Sequence, residues 1–435
     1  MTDAALVPPP THRSGAAAPA VRSRPVGPGW VLMFSGSPWR AAAHRQHALA
    51  RQLAADRRVV FVDPPGNSPR WRWSVRQVDK ALWHAVPPAI LPFGRHLPTV
   101  NRLSRRIGAL RLSRWLDAAT DRLERDRIGE ADRPGGRADE ADRPGERIDE
   151  ADRRIGQADR PGERIVWLDE DLAWPVCRRL GAAAVVYDAT DLDWTFTRWW
   201  NRGHLRRALR YAVAEADLVL ASSSALPARL PGARRPPVVL PNGCDPECFT
   251  ADGPVAAALA GLPRPVLGYL GAVDTRAFDG ELVAAVAAAR PEWTVLLIGP
   301  STPAGRAPLR GLSNVRLWPA VPFAEAPALV RGFDVGIIPY RVGGLIDYVH
   351  PKKCYEYLAA GRPVVATPLP ALRELSAPVR LAATPARFVA AVEAELPTAW
   401  CPGAVAERRA AAVPQSWDAR GARLRDLLAD VAGAR

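Results

Sequence analysis

The sequence predicts an α/β protein made of two domains, each a doubly wound and largely parallel sheet. Three observations carry that expectation. Short apolar runs rich in β-branched residues recur along the chain and alternate with helix-patterned stretches. The series starts afresh at PVLGYLGAVD, after the Pro/Ala/Gly-rich join that follows PNGCDPECF. Finally, 435 residues with 48% hydrophobic content suffice for two cores of ordinary size.

The elements follow in order. Residues 1–27 are Pro/Ala-rich and lack the apolar segment of a signal peptide, so they read as a disordered extension. GWVLMFSG is a strand, WRAAAHRQHALARQLAAD a helix and VVFVDPPG a second strand, which together make a parallel βαβ unit. The loop Phe34–Trp39 then lies at the carboxyl end of a strand, where open α/β sheets bind ligands. Gly36 and Trp39 are candidates there, with His47 on the following helix. The plain alternative for His44, Arg45 and His47 is a solvated helix face.

Between residues 126 and 164 the motif EADRPG recurs, mostly at a ten-residue step, with few apolar residues. A solenoid needs a hydrophobic stripe in each repeat, so this reads as a solvated low-complexity insertion. RIVWLDED resumes as a strand, which puts the insertion inside one domain. AAAVVYDATDLDW, DLVLASSSAL and PPVVLPNGCD supply further strands, closing a first domain at 28–235. The second domain, 236–412, runs through PVLGYLGAVD, ELVAAVAAA, WTVLLIGP, NVRLWPAV, FAEAPALVRGF, DVGIIPY and RPVVAT. Residues 413–435 hold a last amphipathic helix.

The net charge is +14, almost all of it from arginine: the chain has three lysines, Lys80, Lys352 and Lys353. Such a balance suits a nucleic acid, an anionic membrane surface, an anionic substrate or simply a solubilising surface. Five cysteines without zinc-type pairing fit a reducing cytoplasm. No apolar run approaches the roughly 20 residues that span a bilayer.

Two of the three lysines stand in HPKKCYEYLAAGRPVVAT. Pro351 suits the first turn of a helix and Gly361 the position just past its end. At helical spacing Lys353 and Glu356 share a face near the N-terminal end, where amides and the helix dipole favour an anion. A phosphate could dock there, with Glu356 accepting hydrogen bonds from neighbouring hydroxyls. The competing reading is an exposed Lys–Glu pair contributing about 0.3 kcal/mol.

These motifs in this order resemble the GT-B glycosyltransferases of the "group 1" type. The resemblance runs from about residue 28 to the C-terminus, leaving out the insertion. It rests on WRAAAHRQHALARQLA, VVYDATDLDW, LPNGCD, LGYLGAVDTRAFDGELV, LLIGP and the Pro-x-Lys-x-x-Glu-Tyr-Leu-Ala-x-Gly-x-Pro-Val-Val run. It implies two Rossmann-like domains facing a cleft, the first taking the acceptor and the second a nucleotide-sugar donor. It further implies that Glu356 accepts the ribose hydroxyls and that Lys353 faces the diphosphate, with Lys352 a solvent-facing spare. Gly271, Asn242 and the paired Gly343 and Gly344 join the donor side, where glycines let backbone amides approach closely. The family's Arg-Lys pair after the first strand of the second domain is reduced here to Arg276. Its earlier glutamate is replaced by Tyr348.

Transfer requires stabilisation of the leaving diphosphate and an aligned acceptor hydroxyl. An inverting enzyme also needs a general base, and Asp191 is the candidate, beside Asp188 and Asp193, which could equally cap a helix or turn. No cofactor or metal is expected. An Asp-x-Asp metal site at Asp191–Asp193 is the contrary reading, together with a sugar-nucleotide epimerase on the same architecture and a basic nucleic-acid-binding protein. The favoured partners are a nucleotide sugar, a sugar, lipid-linked or small-molecule acceptor, and an anionic membrane surface met by Arg70–Trp73, Arg102, Arg105, Arg106 and Arg198–Trp200. No nucleic acid is expected. The expected location is the cytoplasm, peripheral at the inner face of the plasma membrane.

Overall fold

A computed structural model describes residues 29–39, 44–64, 74–87, 164–169, 180, 182–190, 199–250, 253–375 and 378–433, with positions 114 and 118. Residues 1–28 and the insertion up to residue 163 lie outside them.

The first sheet is built on β1 (Trp30–Phe34), whose five residues WVLMF are all buried. A strand apolar throughout must be covered on both faces, and alternate residues point to opposite ones. Trp30, Leu32 and Phe34 accordingly join one hydrophobic cluster and Val31 and Met33 another. Around β1 lie β2 (Arg58–Val62), β3 (Ser74–Asp79), β4 (Leu82–Val86), β5 (Arg164–Leu168), β6 (Ala184–Ala189), β7 (Leu218–Ala221) and β8 (Val238–Val239). The order in the eight-stranded sheet is β3-β4-β2-β1-β5-β6-β7-β8. All neighbours are parallel except β3, which pairs antiparallel with β4 at the edge.

The helices are α1 (Arg45–Ala54), α2 (Trp199–Glu215), α3 (Pro246–Thr250), α4 (Gly280–Ala289), α5 (Pro303–Arg306), α6 (Ala326–Arg331), α7 (Lys353–Ala359), α8 (Pro370–Arg373), α9 (Pro385–Glu395), α10 (Pro402–Ala412) and α11 (Trp417–Gly433). The second sheet comprises β9 (Val266–Leu270), β10 (Thr294–Ile298), β11 (Val315–Trp318), β12 (Val335–Ile338), β13 (Val364–Ala366) and β14 (Val379–Leu381). Its six strands are ordered β11-β10-β9-β12-β13-β14 and are all parallel.

Three features depart from the sequence reading. β8 pairs with β7, so the first sheet extends past residue 235. Arg164 is the first residue of β5 and is buried, so the strand begins at the last position assigned to the insertion. The closing helix α11 returns to the first domain: Trp417, Leu424, Leu427, Leu428 and Val431 join the cluster of Val31 and Met33. Its contact with α1 is close. Gln52 donates to Asp418 at 2.6 Å, and a Cβ on Gly421 would lie 2.4 Å from the Gln52 side chain.

In a doubly wound sheet the strands on either side of the starting strand are reached in opposite directions, and a crevice opens at the carboxyl ends where that reversal occurs. It falls between β1 and β5 in the first sheet and between β9 and β12 in the second.

Candidate functional site

The second-domain crevice is lined by the loop after β9, Gly271–Arg276, by Tyr340 after β12, and by α7. Every residue of α7 from Lys353 to Ala359 is buried. The helix ends where Gly361 takes φ +74°, with Gly361 N–H donating to the Leu358 carbonyl at 2.8 Å and Arg362 N–H to that of Tyr357 at 2.9 Å. Tyr357 in turn fixes the end of β9: its hydroxyl accepts from Leu270 N–H at 2.8 Å.

Lys353 and Glu356 are both buried, at 9% and 7% exposure. They do not pair with each other. Lys353 Nζ donates to the Tyr340 hydroxyl at 2.8 Å and lies 4.2 Å and 4.7 Å from the ring centres of Tyr269 and Tyr340. Glu356 instead forms an ion pair with Lys352 at 3.2 Å. Lys352 is therefore no spare: one turn before Glu356, it holds that carboxylate while its ammonium lies 5.2 Å from the Phe323 ring centre. The spacing of four, and not of three, sets the pair.

Gly271 touches this group directly. A Cβ there would stand 2.5 Å from Lys353 Nζ and 2.8 Å from the Tyr269 hydroxyl, so no larger residue fits without displacing the ammonium. Arg276 sits in the same loop with its side chain 70% exposed and Nε 3.1 Å from Asp274. Against the cost of partial burial, N–H donation from Ala277 and Arg276 and the Arg276 guanidinium hold the Asp274 carboxyl below its ordinary range. Arg341 ties the β12 loop to the β9 loop by donating to the carbonyls of Ala277 at 2.8 Å and Phe278 at 3.2 Å. Beyond it Gly343 and Gly344 take φ +104° and +70° in open space, with Gly343 N–H donating to Asp347 at 2.8 Å.

Asn242 lies between the domains. It accepts from Arg45 Nη1 at 3.4 Å and donates to the His350 carbonyl at 2.8 Å. Neighbouring contacts join the same edges: Ser223 donates to the Tyr348 carbonyl at 2.7 Å and Arg229 to the Tyr348 hydroxyl at 2.5 Å. His350 Nε2 is 3.0 Å from the Tyr355 hydroxyl. Burial first, then Arg420 and Arg45, push His350 down to about 3, so it is neutral.

In the first-domain crevice Gly36 N–H donates to Asp169 at 2.6 Å, and Ser35 donates to the same carboxylate at 3.2 Å. Trp39 N–H donates to Asp63 at 2.7 Å, and the Trp39 ring packs edge-on to His47 and Phe61, both at 4.9 Å. His47 and Arg45 are buried, contrary to a solvated helix face, because His47 packs on Trp39 and Phe61 and Arg45 reaches Asp188 at the end of β6. Arg45 forms a two-pronged pair with Asp188, Nε and Nη2 each 2.9 Å from a carboxylate oxygen, and Asp188 is fully buried at the end of β6. Asp188 is thus an ion-pair residue and not a cap. Asp191 and Asp193 lie outside the described residues, as do Arg70–Trp73, Arg102, Arg105, Arg106 and Arg198.

The sequence reading did not single out Tyr269, Tyr340 or Asp169. Aromatics at strand ends carry the same pattern as core residues, and only the fold brings these two to one lysine.

Residues 264–396 match the family model "Glycosyl transferases group 1", a range that contains all six strands of the second sheet. A Bacillus subtilis protein named as a teichuronic acid biosynthesis glycosyltransferase, TuaH, is 31% identical over 213 residues, 45% of this chain and 53% of that protein. The chain thus spans about half the length of the curated relative it matches. Among solved structures, sucrose-phosphate synthase from Thermosynechococcus elongatus superposes with a TM-score of 0.63 at 16% identity, over 94% of this chain and 100% of that one. Anabaena HepE in complex with UDP and glucose gives 0.58 at 13% identity, over 92% and 100%. These likenesses show the fold: two parallel α/β sheets in the GT-B arrangement.

Proposed function

We propose that the protein is a glycosyltransferase that moves a sugar from a nucleotide-sugar donor to a hydroxyl acceptor in polysaccharide or glycolipid assembly. One observation carries this reading. A buried lysine, Lys353, stands at the β9/β12 crevice against Gly271 with no carboxylate on its ammonium among the described residues, one helical turn from the buried carboxylate of Glu356. A buried cation and a buried carboxylate so spaced suit the two ends of a nucleoside diphosphate: phosphate oxygens on the first, ribose hydroxyls on the second.

As the glycosidic bond to the leaving group breaks, negative charge develops on the diphosphate, and a fixed ammonium in a water-poor site stabilises it more than water would. Exposed Arg276 adds a screened charge at the rim. Gly343 and Gly344 leave room beside the sugar. The acceptor enters from the first-domain side, past Gly36 and Trp39, and Asp191 is proposed as its general base.

The binding step is tested by a thermal-shift screen against UDP-, GDP-, TDP- and ADP-sugars, since a ligand selective for the native state raises the melting temperature. At least one should do so in the wild type. Lys353→Ala and Glu356→Gln should fold and lose that shift; variants that fold and shift as the wild type does would overturn the assignment.

For the acceptor, a lipid-linked molecule at an anionic bilayer is favoured by the exposed face of α2, which presents Arg202, Arg206, Arg207 and Arg210 beside Tyr211. Each arginine near such a surface gains on the order of 1 kcal/mol. No helix among the described residues is long and apolar enough to cross a membrane. Co-sedimentation with phosphatidylserine vesicles should fall with Arg206→Ala/Arg210→Ala and at high salt; no binding at low salt favours a soluble acceptor.

A further inference from the structure

We propose that Tyr340 and Tyr269 are positioning residues that form a cage, a hydroxyl from the first and a ring face from the second, which holds the Lys353 ammonium as an uncompensated cation against the donor diphosphate. The proposal rests on the donor-site reading above.

The cage is specific in its contacts. Nζ lies 4.2 Å from the centre of the Tyr269 ring and meets Tyr340 at its hydroxyl, 2.8 Å away, the two rings being inclined at 75°. A ring face attracts a cation without cancelling its charge. One of the three ammonium hydrogens goes to the Tyr340 hydroxyl. The Tyr269 hydroxyl donates to the Ala272 carbonyl at 3.0 Å, which pins its ring to the β9 loop. Burial, then the neighbouring Tyr340, hold the Tyr269 phenol well above its ordinary range, so it stays neutral.

Nearby carboxylates are engaged elsewhere. Asp274 is held by Arg276 and two backbone amides, and Glu356 by Lys352. Among the described residues no carboxylate lies within 4.0 Å of Lys353 Nζ, and Tyr340 is its one hydrogen-bond acceptor. Lys353 is 9% exposed as a residue, and a shielded ammonium with two donors remaining is costly unless water or an anion completes it. The proposed diphosphate site is the carboxyl end of β9, beside Gly271.

The cage also accounts for a lysine in a chain whose positive charge is otherwise almost all arginine. A compact ammonium fits between the Tyr340 hydroxyl, the Tyr269 ring and the Gly271 backbone, where a Cβ on Gly271 would fall 2.5 Å from Nζ, and a planar guanidinium is larger.

The test is calorimetric titration of the full chain with inorganic pyrophosphate and with UDP, which separates the anion from the base. Tyr340→Phe and Tyr269→Leu should each weaken pyrophosphate binding roughly three- to tenfold, and Lys353→Arg should not restore what Lys353→Ala loses. In a Lys353→Ala background Tyr340→Phe should have no further effect, which a merely structural tyrosine would not reproduce. If Tyr269→Leu fails to fold, Tyr340→Phe carries the test. Wild-type affinity in Tyr340→Phe, or in Lys353→Arg, overturns the cage. Loss of binding in Lys353→Ala with wild-type affinity in Tyr340→Phe overturns the cage alone. Undiminished binding in Lys353→Ala, or no binding of either probe to the wild type, overturns the cage and its donor-site premise together.

Discussion

The two sheets reverse their strand order at equivalent places, yet the two crevices differ in how their charges are engaged. Around β1 and β5 each described carboxylate is met by the protein itself: Asp169 by Gly36 and Ser35, Asp63 by Trp39 N–H and His84, Asp188 by Arg45. Around β9 and β12 a buried ammonium is left with a ring face and a single hydroxyl. Self-satisfied charge fixes the shape of a loop; uncompensated charge prepares a place for a ligand. On this comparison the first crevice is architectural at its floor, and the second offers the charge that the proposed diphosphate site calls for.

The largest expected effect would break the architectural half. Asp188→Ala leaves the Arg45 guanidinium buried without its carboxylate, and losing one partner of a buried pair costs about 3–5 kcal/mol. Urea unfolding should show that loss, and Arg45→Met/Asp188→Leu should recover much of it. An Asp188→Ala protein of wild-type stability that no longer turned over donor would place the pair in the chemistry instead, and the contrast between the crevices would fail.

A smaller effect sharpens the boundary between the halves. His350 sits where Asn242 joins the domains, and the folded protein keeps it neutral down to about pH 3, whereas the unfolded chain takes up that proton near 6.5. Its contribution to stability is therefore fully present above about pH 6.5 and declines as pH falls toward 3, by up to about 1.4 kcal/mol per pH unit. His350→Gln should flatten the stability profile between about pH 6 and 4 by close to one proton. An unchanged slope would mean that His350 is protonated in the fold.

Much of this was legible in the residues. Strands buried on both faces announce themselves as continuous apolar runs, so WVLMF, VVFV, TVLLI and DVGII were read in place. Lys353 and Glu356 stood out because a cation and a carboxylate on one face of a helix start suit a phosphate and its neighbouring hydroxyls. What escaped depends on neighbours distant in sequence. The α11 pattern tells that one face is buried but not against what, and its partner α1 lies more than 360 residues earlier, as the Gln52–Asp418 bond shows. Arg45 read as surface because its carboxylate is 143 positions away. The β3–β4 hairpin went unread because SVRQVD is an edge strand, exposed along most of its length, with no apolar alternation to mark it. Tyr269 and Tyr340 carry no mark of their own in the sequence, and only the fold sets them on one ammonium.

The smallest effect separates two cations within the second crevice. Arg276 and Lys353 both offer positive charge to a diphosphate, but Arg276 is 70% exposed and already lies against Asp274, while Lys353 is 9% exposed. An exposed charge acts through high-dielectric water and is screened within about 8–10 Å at ordinary ionic strength; a buried one is screened far less. Arg276→Ala should therefore weaken UDP binding only about two- to threefold at low salt, and the difference from wild type should vanish by about 0.5 M salt. The loss caused by Lys353→Ala should persist at that salt. Titrations at two salt concentrations decide the matter: a loss in Arg276→Ala as large and as salt-resistant as that in Lys353→Ala would mean that the loop closes over the diphosphate and that burial in the free protein does not rank the two cations.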